Sequence, residues 1–335
     1  MTGRMLANDD PALRRCWHPV ARSNEVGQDP VPVRLLGEDW VLARLGGTLT
    51  ALVDRCPHRL APLSIGAIEG DVLRCGYHGW CFAADGACTE IPSLGRDRRP
   101  ARADVRAAAA VTERDGVIFL APEAPINELL DVPEASDPSF QHGALDAITA
   151  SVGAGLLADN FLDMSHFPFL HAATIGTDDA VDFEFDIERV GYGLTIRSRH
   201  LFPNHEDPAV KAGTRPLLQH RNLVYEYRAP FSVSLRIDYE EAGGTNVIDF
   251  FVQPVDADTC RIYSSVHRND LDGDEQRLAE CIAYERKIVD EDLRLQERYR
   301  DKRLPLDLTT EVHVRADRPT VELRRVLSAL VEGAF

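Results

Sequence analysis

Apolar and polar positions follow different rules in the two parts of this chain. Between residues 31 and 122 the apolar residues come in short runs: PVRLLG, WVLARL, TLTALVD, DVLRCGY and GVIFLA, punctuated by Gly and Asp. Runs of this length and β-rich composition predict strands and turns, hence a small all-β domain. Residues 122–148 are rich in Pro, Glu, Asp and Ser and read as a connecting segment. From about residue 150 the period changes. AGLLADNFLDMSHF spaces its apolar residues as a helix does. DFEFDIERV, GLTIRSRHLF, RNLVYEYRA, FSVSLRIDYE, TNVIDFFVQPV and CRIYSSVHR then alternate like antiparallel strands. GDEQRLAECIAYERKIVDEDLRLQERYR has the 3.6-residue period of one long helix, and PTVELRRVLSALVEG opens a short amphipathic helix with Pro-Thr. The expected class is α+β, with an all-β domain over 14–122 and, over 123–335, an antiparallel sheet flanked by helices.

Composition narrows the function. The chain has 335 residues, 44% hydrophobic and 27% charged, with a net charge of -17 and no basic block. That balance argues against a nucleic-acid partner and is the ordinary solubility of an acidic protein. No segment is apolar and long enough to serve as a signal peptide or membrane span, so a cytoplasmic location is expected. Seven cysteines in a reducing compartment argue against a disulfide framework. Any clustered ones are then better read as metal ligands, the others as plain buried thiols.

One cluster stands out. Cys56-Pro-His58 is followed by Cys75-Gly-Tyr-His78, in the matching loops CPHRLAPLS and CGYHGWCF. Two thiolates and two imidazoles suit zinc or an iron–sulfur cluster. C-x-H brings two ligands very close together, a spacing that zinc fingers seldom use. A two-iron cluster fits better, with Cys56 and Cys75 on one iron and His58 and His78 on the other. Gly76, Gly79 and Trp80 would shape and shield the second loop. Cys16, Cys81, Cys88, Cys260 and Cys281 fall outside the pattern and read as buried thiols.

A second set lies in NFLDMSHFPFLH, where Asn160, Asp163, His166 and His171 interrupt an apolar stretch. His166 and His171 are five residues apart with Pro168 between them. Pro168 disfavours regular helix at Phe167, which lets two imidazoles converge from a distorted helix end. Two histidines and one carboxylate make the facial triad of non-haem Fe(II) oxygenases. The carboxylate candidates are Asp290, Glu291 and Asp292 in KIVDEDLRLQER. Helical geometry puts Asp292 on the face of Cys281, Ile288, Val289 and Tyr299, and Asp290 on the wet face, with Glu291 between.

The paired C-x-H and C-x-x-H resembles the Rieske [2Fe–2S] signature, and N-x-x-D-x-x-H-x4-H resembles the catalytic domain of the Rieske non-haem iron oxygenases. The resemblance covers both domains. It implies a helix-grip, START-like catalytic fold, a [2Fe–2S] cluster, a mononuclear Fe(II) and O₂ as co-substrate. It also favours Asp292 as the third ligand, because Glu291, Asp292 and Glu297 match the family's E-D-x4-E context. It gives Asp163 the task of bridging His78 of one subunit to His166 of the next, in a head-to-tail ring most simply a trimer. Asn160 would sit near the iron. Without a G-x-G-x-x-G fingerprint or a plant-type Cys₄ set, the electrons must come from a separate NAD(P)H-dependent reductase, with or without a ferredoxin. NFLDMSHFPFLH, VDEDLRLQERYRDKRLPL and EVHVRADRPTVELRR look like the saxitoxin-pathway hydroxylases, and more loosely like vanillate and dicamba O-demethylases. The implied reaction is monohydroxylation of a medium-sized natural product, with O- or N-demethylation of an aromatic as the alternative. Two rival classes remain: an electron carrier with an inactive second domain, and a His₂-Asp zinc hydrolase. Residues 176–260 are expected to wall the substrate pocket, with His205, His220, Tyr225, Tyr227, Phe231 and Phe250 as candidate liners.

Overall fold

A computed structural model describes residues 3–94, 100–172, 174–176 and 183–333. Its contacts divide the chain into two compact units: Asp9–Ile126 with Gln253–Ala257, and Met1–Asn8 with Asn127–Val252 and Asp258–Phe335. The first strand, β1 (Met5–Leu6), belongs to the latter.

The β unit contains three small antiparallel sheets. β2 (His18–Arg22) closes one edge of a sheet completed by the hairpin β10 (Ala110–Arg114) and β11 (Val117–Ala121). β3 (Val31–Leu35), β4 (Glu38–Leu45) and β5 (Thr48–Val53) form a second. The third is a meander of β6 (Ala67–Glu69), β7 (Val72–Arg74), β8 (Cys81–Phe82) and β9 (Cys88–Glu90). Val41, Leu52, Leu63, Leu73 and Phe82 pack into one core, together with Cys56, Cys75 and Cys88. Cys16 and Cys81 are buried as well, and burial pushes the Cys16 thiol up to about 12. Residues Gln253–Ala257 join this unit through backbone bonds from Leu36 to Pro254 and from Gly37 to Val255.

The larger unit is built on a long antiparallel sheet with helices. Its spatial order is β12 (Gln141–Ala144), β19 (Thr259–Arg268), β18 (Thr245–Asp256), β17 (Ser232–Tyr239), β16 (Leu218–Arg228), β15 (Gly193–Pro203) and β14 (Asp186–Val190). β13 (Ile148–Ala150) also pairs with β19. The segment read as a connection therefore supplies two edge strands. β12 is Gln-His-Gly-Ala, which lacks the apolar alternation that marks a strand, and it owes its extension to the ladder with β19. β20 (Leu304–Pro305) pairs with β1.

Among the described residues five α-helices complete the unit: α1 (Ala154–Leu162), the single turns α2 (Phe167–Leu170) and α3 (Pro208–Lys211), α4 (Glu275–Gln296) and α5 (Arg318–Glu332). α4 starts where Asp274 caps the backbone N–H groups of Gln276 and Arg277, and packs on β12 and β19. α1 touches α4, α5 and β17. A buried ion network fixes α1 to α5, in which Arg324, 4% exposed, pairs with Asp159 and with Glu311. Among the described residues no helix is long and apolar enough to cross a membrane.

Candidate metal centres

The two loops carrying Cys56 and Cys75 are backbone twins. In the first, the Leu60 N–H donates to the Cys56 carbonyl at 2.9 Å and the Cys56 N–H to the Ala61 carbonyl at 2.8 Å. In the second, the Gly79 N–H donates to Cys75 at 3.0 Å and the Cys75 N–H to Trp80 at 2.8 Å. The fourth residue after each cysteine is left-handed, with φ 60° at Leu60 and 72° at Gly79. Glycine takes that conformation at no steric cost, whereas Leu60 bears it with its side chain 61% exposed. Gly76 is required for a different reason: a Cβ there would stand 2.8 Å from the Ile65 carbonyl oxygen, where the loops pass each other.

These turns bring together the four predicted donors. Cys56 and Cys75 are each 2% exposed. The His58 and His78 ring centroids are 4.4 Å apart, and Trp80 stacks on His58 at 4.9 Å with its plane tilted only 9°. Burial pushes the Cys56 thiol up to about 11, with the neighbouring Cys75 thiol adding to the push. A thiol in such a place ionises readily only beside a cation, and iron would supply one. His58 Nδ1 is buried without a hydrogen-bond partner, as an imidazole nitrogen kept for a metal would be. The donor set fits a two-iron cluster.

The second centre is built from two helices. α1 ends at Asp163, whose backbone N–H bonds to Asn160 while its side chain accepts from Ser165 N at 2.8 Å and Ser165 Oγ at 2.5 Å. His166 and His171 then flank the single turn α2, at its start and end. Pro168 occupies an early position of that turn, where a missing N–H costs nothing, so Phe167 is helical rather than excluded from helix. The short turn still gives the expected convergence, with the two imidazole centroids 5.0 Å apart.

Each imidazole is held by a carboxylate on Nδ1 and turns Nε2 to a common point. His166 Nδ1 lies 3.2 Å from Asp163 Oδ2, and His171 Nδ1 lies 2.8 Å from Glu291 Oε2. On the other side Asp292 Oδ1 lies 3.6 Å from His166 Nε2 and 3.1 Å from His171 Nε2. One donor atom from each of His166, His171 and Asp292 falls within 4.8 Å of the others. Asp292 Oδ1 is buried with no hydrogen-bonding partner of its own. A buried carboxylate oxygen without a partner is costly unless a cation meets it. The donor set fits one iron with open positions. Burial opposes charge on His171, but the neighbouring carboxylates of Asp292 and Glu291 outweigh it and raise its pKa. Burial likewise opposes charge on Asp163, yet the bonds from His166 and Ser165 keep its pKa below the usual carboxylate range.

Glu291 was placed by sequence between the wet and buried faces. It is 9% exposed, holds His171 and accepts a 2.9 Å bond from Thr174 Oγ1. Helical periodicity places a side chain to within about a third of a turn, too coarse to separate an outer partner from a ligand in the run Asp290-Glu291-Asp292.

The three donors sit in the wall of a cavity of about 110 Å³, well above the roughly 10–15 Å³ that one water needs. Asn160, Phe161, Tyr225 and Phe250 also line it, and Phe161 stacks on Phe250 at 4.7 Å. Of the candidate liners, Tyr225 and Phe250 are therefore in place. Tyr227 is instead buried with its hydroxyl on the Pro230 carbonyl, Phe231 is buried elsewhere, His205 is exposed, and His220 pairs with Glu241 at the surface. Residues 177–182 of the expected pocket segment lie outside the described residues. Cys281 lines the cavity, and Cys260 is buried, donating to the Val152 carbonyl at 3.0 Å. Sequence reading missed Glu206, Arg221, Asn246, Arg268 and Glu285, which give the cavity its polar wall.

Comparison with known proteins agrees with this architecture. Residues 16–109 match the Rieske [2Fe-2S] domain, and residues 151–333 match the vanillate O-demethylase oxygenase C-terminal domain. The chain is 30% identical to the methylxanthine N3-demethylase NdmB of Pseudomonas putida over 332 residues, which is 96% of this chain and 90% of that protein. It is 29% identical to the N1-demethylase NdmA of the same species, over 98% of this chain and 92% of that one. Among solved structures, Pseudomonas putida CBB5 NdmA with caffeine superposes with a TM-score of 0.84 at 27% identity, covering 98% of this chain and 93% of that one. Dicamba monooxygenase bound to dicamba shares the fold, with a TM-score of 0.81 at 22% identity over 96% and 98% of the two chains. This chain belongs to the Rieske non-haem iron oxygenases, a family of oxidoreductases that use a [2Fe–2S] cluster, a mononuclear iron and O₂.

Proposed function

We propose that this oxygenase removes a methyl group from nitrogen or oxygen of a small, largely apolar substrate. The observation that carries this reading is the convergence of two imidazole Nε2 atoms and the orphaned Asp292 Oδ1 on the wall of a cavity. His166, His171 and Asp292 would hold Fe(II), and Cys56, His58, Cys75 and His78 the cluster. When bound, these groups supply O₂ activation and the electrons for it. The chain's own contribution is position and dryness. Glu291 and Asp163 fix the tautomer and direction of the two imidazoles. Phe161, Tyr225 and Phe250 exclude water from the reacting carbon. Asn160 stands beside the donors without an assigned proton role.

Monohydroxylation and demethylation share their first step, insertion of one oxygen atom into a C–H bond. On a methyl group attached to nitrogen or oxygen the resulting hydroxymethyl compound loses formaldehyde. The balance is R–X–CH₃ + O₂ + NAD(P)H + H⁺ → R–XH + CH₂O + H₂O + NAD(P)⁺. Relatives that match nearly the whole chain are N-demethylases by name, which favours this outcome over hydroxylation of a natural product. Electrons come from a separate NAD(P)H-dependent reductase, with or without a ferredoxin. Within a head-to-tail homotrimer, Asp163 would link His166 to His78 of the neighbouring subunit. Its side chain is already on His166 here and is not sealed from solvent.

The test uses anaerobically purified protein with a reductase, supplied with caffeine and with 3- and 4-methoxybenzoate. About three irons and two sulfides per chain, with formaldehyde released in step with NADH and O₂, are expected. Two irons and two sulfides after adding Fe(II) would turn the reading to an electron carrier. A hydroxylated product that keeps its methyl group would turn it to simple hydroxylation.

A further inference from the structure

The cavity is chemically divided. α4 lines it from Cys281 to Asp292, a span of eleven residues or roughly 16 Å of helix. Asp292 belongs to the donor triad. At the other end Cys281 accepts a 3.3 Å contact from Arg268 Nη1, and Arg268 lies over the Tyr239 ring. The guanidinium of Arg221 lies over that ring too, at 5.2 Å, and over Phe202 at 5.6 Å. Arg221 and Tyr239 are cross-strand partners on β16 and β17, and Asn246 on β18 faces Ile237, two residues from Tyr239 on the same side. The polar wall therefore gathers at the end of the cavity remote from Asp292.

The two arginines there differ in one decisive respect. Arg268 is neutralised, with Nε and Nη2 donating to the two oxygens of Asp270 and Nη1 paired with Glu206 at 3.1 Å. Arg221 is 8% exposed, yet no described carboxylate comes within salt-bridge distance. Its Nη2 donates to the Pro203 carbonyl at 2.9 Å, and its Nε is buried with no partner. A buried guanidinium with no counter-ion and an unpaired donor is costly on its own, and a bound anion is the group that relieves it.

We infer that Arg221 is the specificity determinant of this oxygenase and holds a substrate carboxylate at the end of the cavity remote from the iron ligands. The inference rests on the demethylase reading only for what happens at the other end of the substrate. Tyr239, Phe202 and Leu223 pack around the carboxylate and exclude water, which strengthens the charge-assisted bonds. The substrate class is a methyl-bearing acid with an apolar body.

Binding of 3-methoxybenzoate, 4-methoxybenzoate and 4-(dimethylamino)benzoate to the holoenzyme, each against its primary amide, tests this without turnover. By calorimetry the acids should bind at least about tenfold tighter than their amides, the difference between a charge-assisted and a neutral pair. Arg221→Gln should erase that preference, with cluster absorbance and iron content unchanged as the check on folding. Arg221→Met should erase it too and leave the cluster intact, a second route if Arg221→Gln does not fold. Equal binding of acids and amides, an acid preference that survives in Arg221→Gln, or no binding of any acid at millimolar concentration would each overturn the inference. Acids that bind with the predicted preference but yield no formaldehyde would sink the demethylase reading and leave this one standing. Formaldehyde from caffeine without any acid preference would do the reverse.

Discussion

The two metal-binding regions solve the same problem, holding imidazoles still, by different means. In the cluster loops, backbone turns do it. Each cysteine is pinned by two main-chain hydrogen bonds, and the histidines are placed by the turn and by ring contacts with Trp80 and with each other. In the candidate iron centre, carboxylates do it. Asp163 and Glu291 each take the Nδ1 of one histidine, and a third carboxylate, Asp292, faces both Nε2 atoms. The cluster loops are also open: Tyr77 is 63% exposed and His78 is exposed, whereas His171 is 1% exposed. A group that must pass electrons to another protein profits from exposure. A site that must keep water from a reacting carbon profits from burial. Local turns give the first, but a buried centre needs acids from a distant helix, and those acids bring electrostatic cost.

That contrast can be broken most forcefully at Asp292. Asp292→Asn should empty the iron site while the turn-held cluster persists. Iron should fall from about three to two per chain with sulfide unchanged at about two, and activity should fall beyond the 10–100-fold typical of outer partners. Simultaneous loss of sulfide, read by acid-labile sulfide assay, would show that the two regions do not stand independently.

Next in size is the electrostatic cost. Glu285 lines the cavity two helical turns from Asp292, and burial, with Glu206 and Asp292 adding, pushes its carboxyl up to about 7. The folded protein thus keeps a proton that the unfolded chain releases near its ordinary value of 4.5. Between those values the folded state binds more protons, so stability declines as pH rises through the window and stays lower above it. Glu285→Gln cannot ionise and should gain up to about 3 kcal/mol over the native protein by pH 8, with no gain at pH 4. Urea midpoints at pH 4, 6 and 8 read this directly, and a pH-independent difference would refute it. The smallest effect sharpens the contrast at one hydrogen bond. Glu291→Gln keeps the shape but weakens the hold on His171, and iron affinity should fall by about 10–100-fold. Cluster spectra should not move. Unchanged iron affinity would mean that Glu291 merely packs there.

The legible parts of this molecule were those where chemistry repeats at a fixed short spacing. Cys56-Pro-His58 and Cys75-Gly-Tyr-His78 announce their metal because four ligands fall in two matching loops. Asp292 stood out because the resemblance to the family's E-D-x4-E context picked one acid from a run that helical period alone could not resolve. The edge strand Gln141–Ala144 was illegible because its extension is imposed by a neighbour. Glu291 was ambiguous because three acids in a row leave the choice to a fraction of a turn. Arg221 hid for another reason. Alternation along RNLVYEYRA puts it on the same face as Leu223 and Tyr225, but a strand-end arginine ordinarily turns to water. Only its packing between Phe202 and Tyr239 shows that it does not.

α4 has one more implication. Asp292 and Cys281 ride on a single unbroken helix, so the interval between the two ends of the cavity cannot stretch as a loop would. A molecule tethered at the Arg221 end is measured against a ruler. The carbon that meets the oxidant is then counted out from the tether, and regiochemistry becomes a matter of length. Homologous acids, each longer by one methylene, should be oxidised at positions that march along the chain while the anchored end stays put.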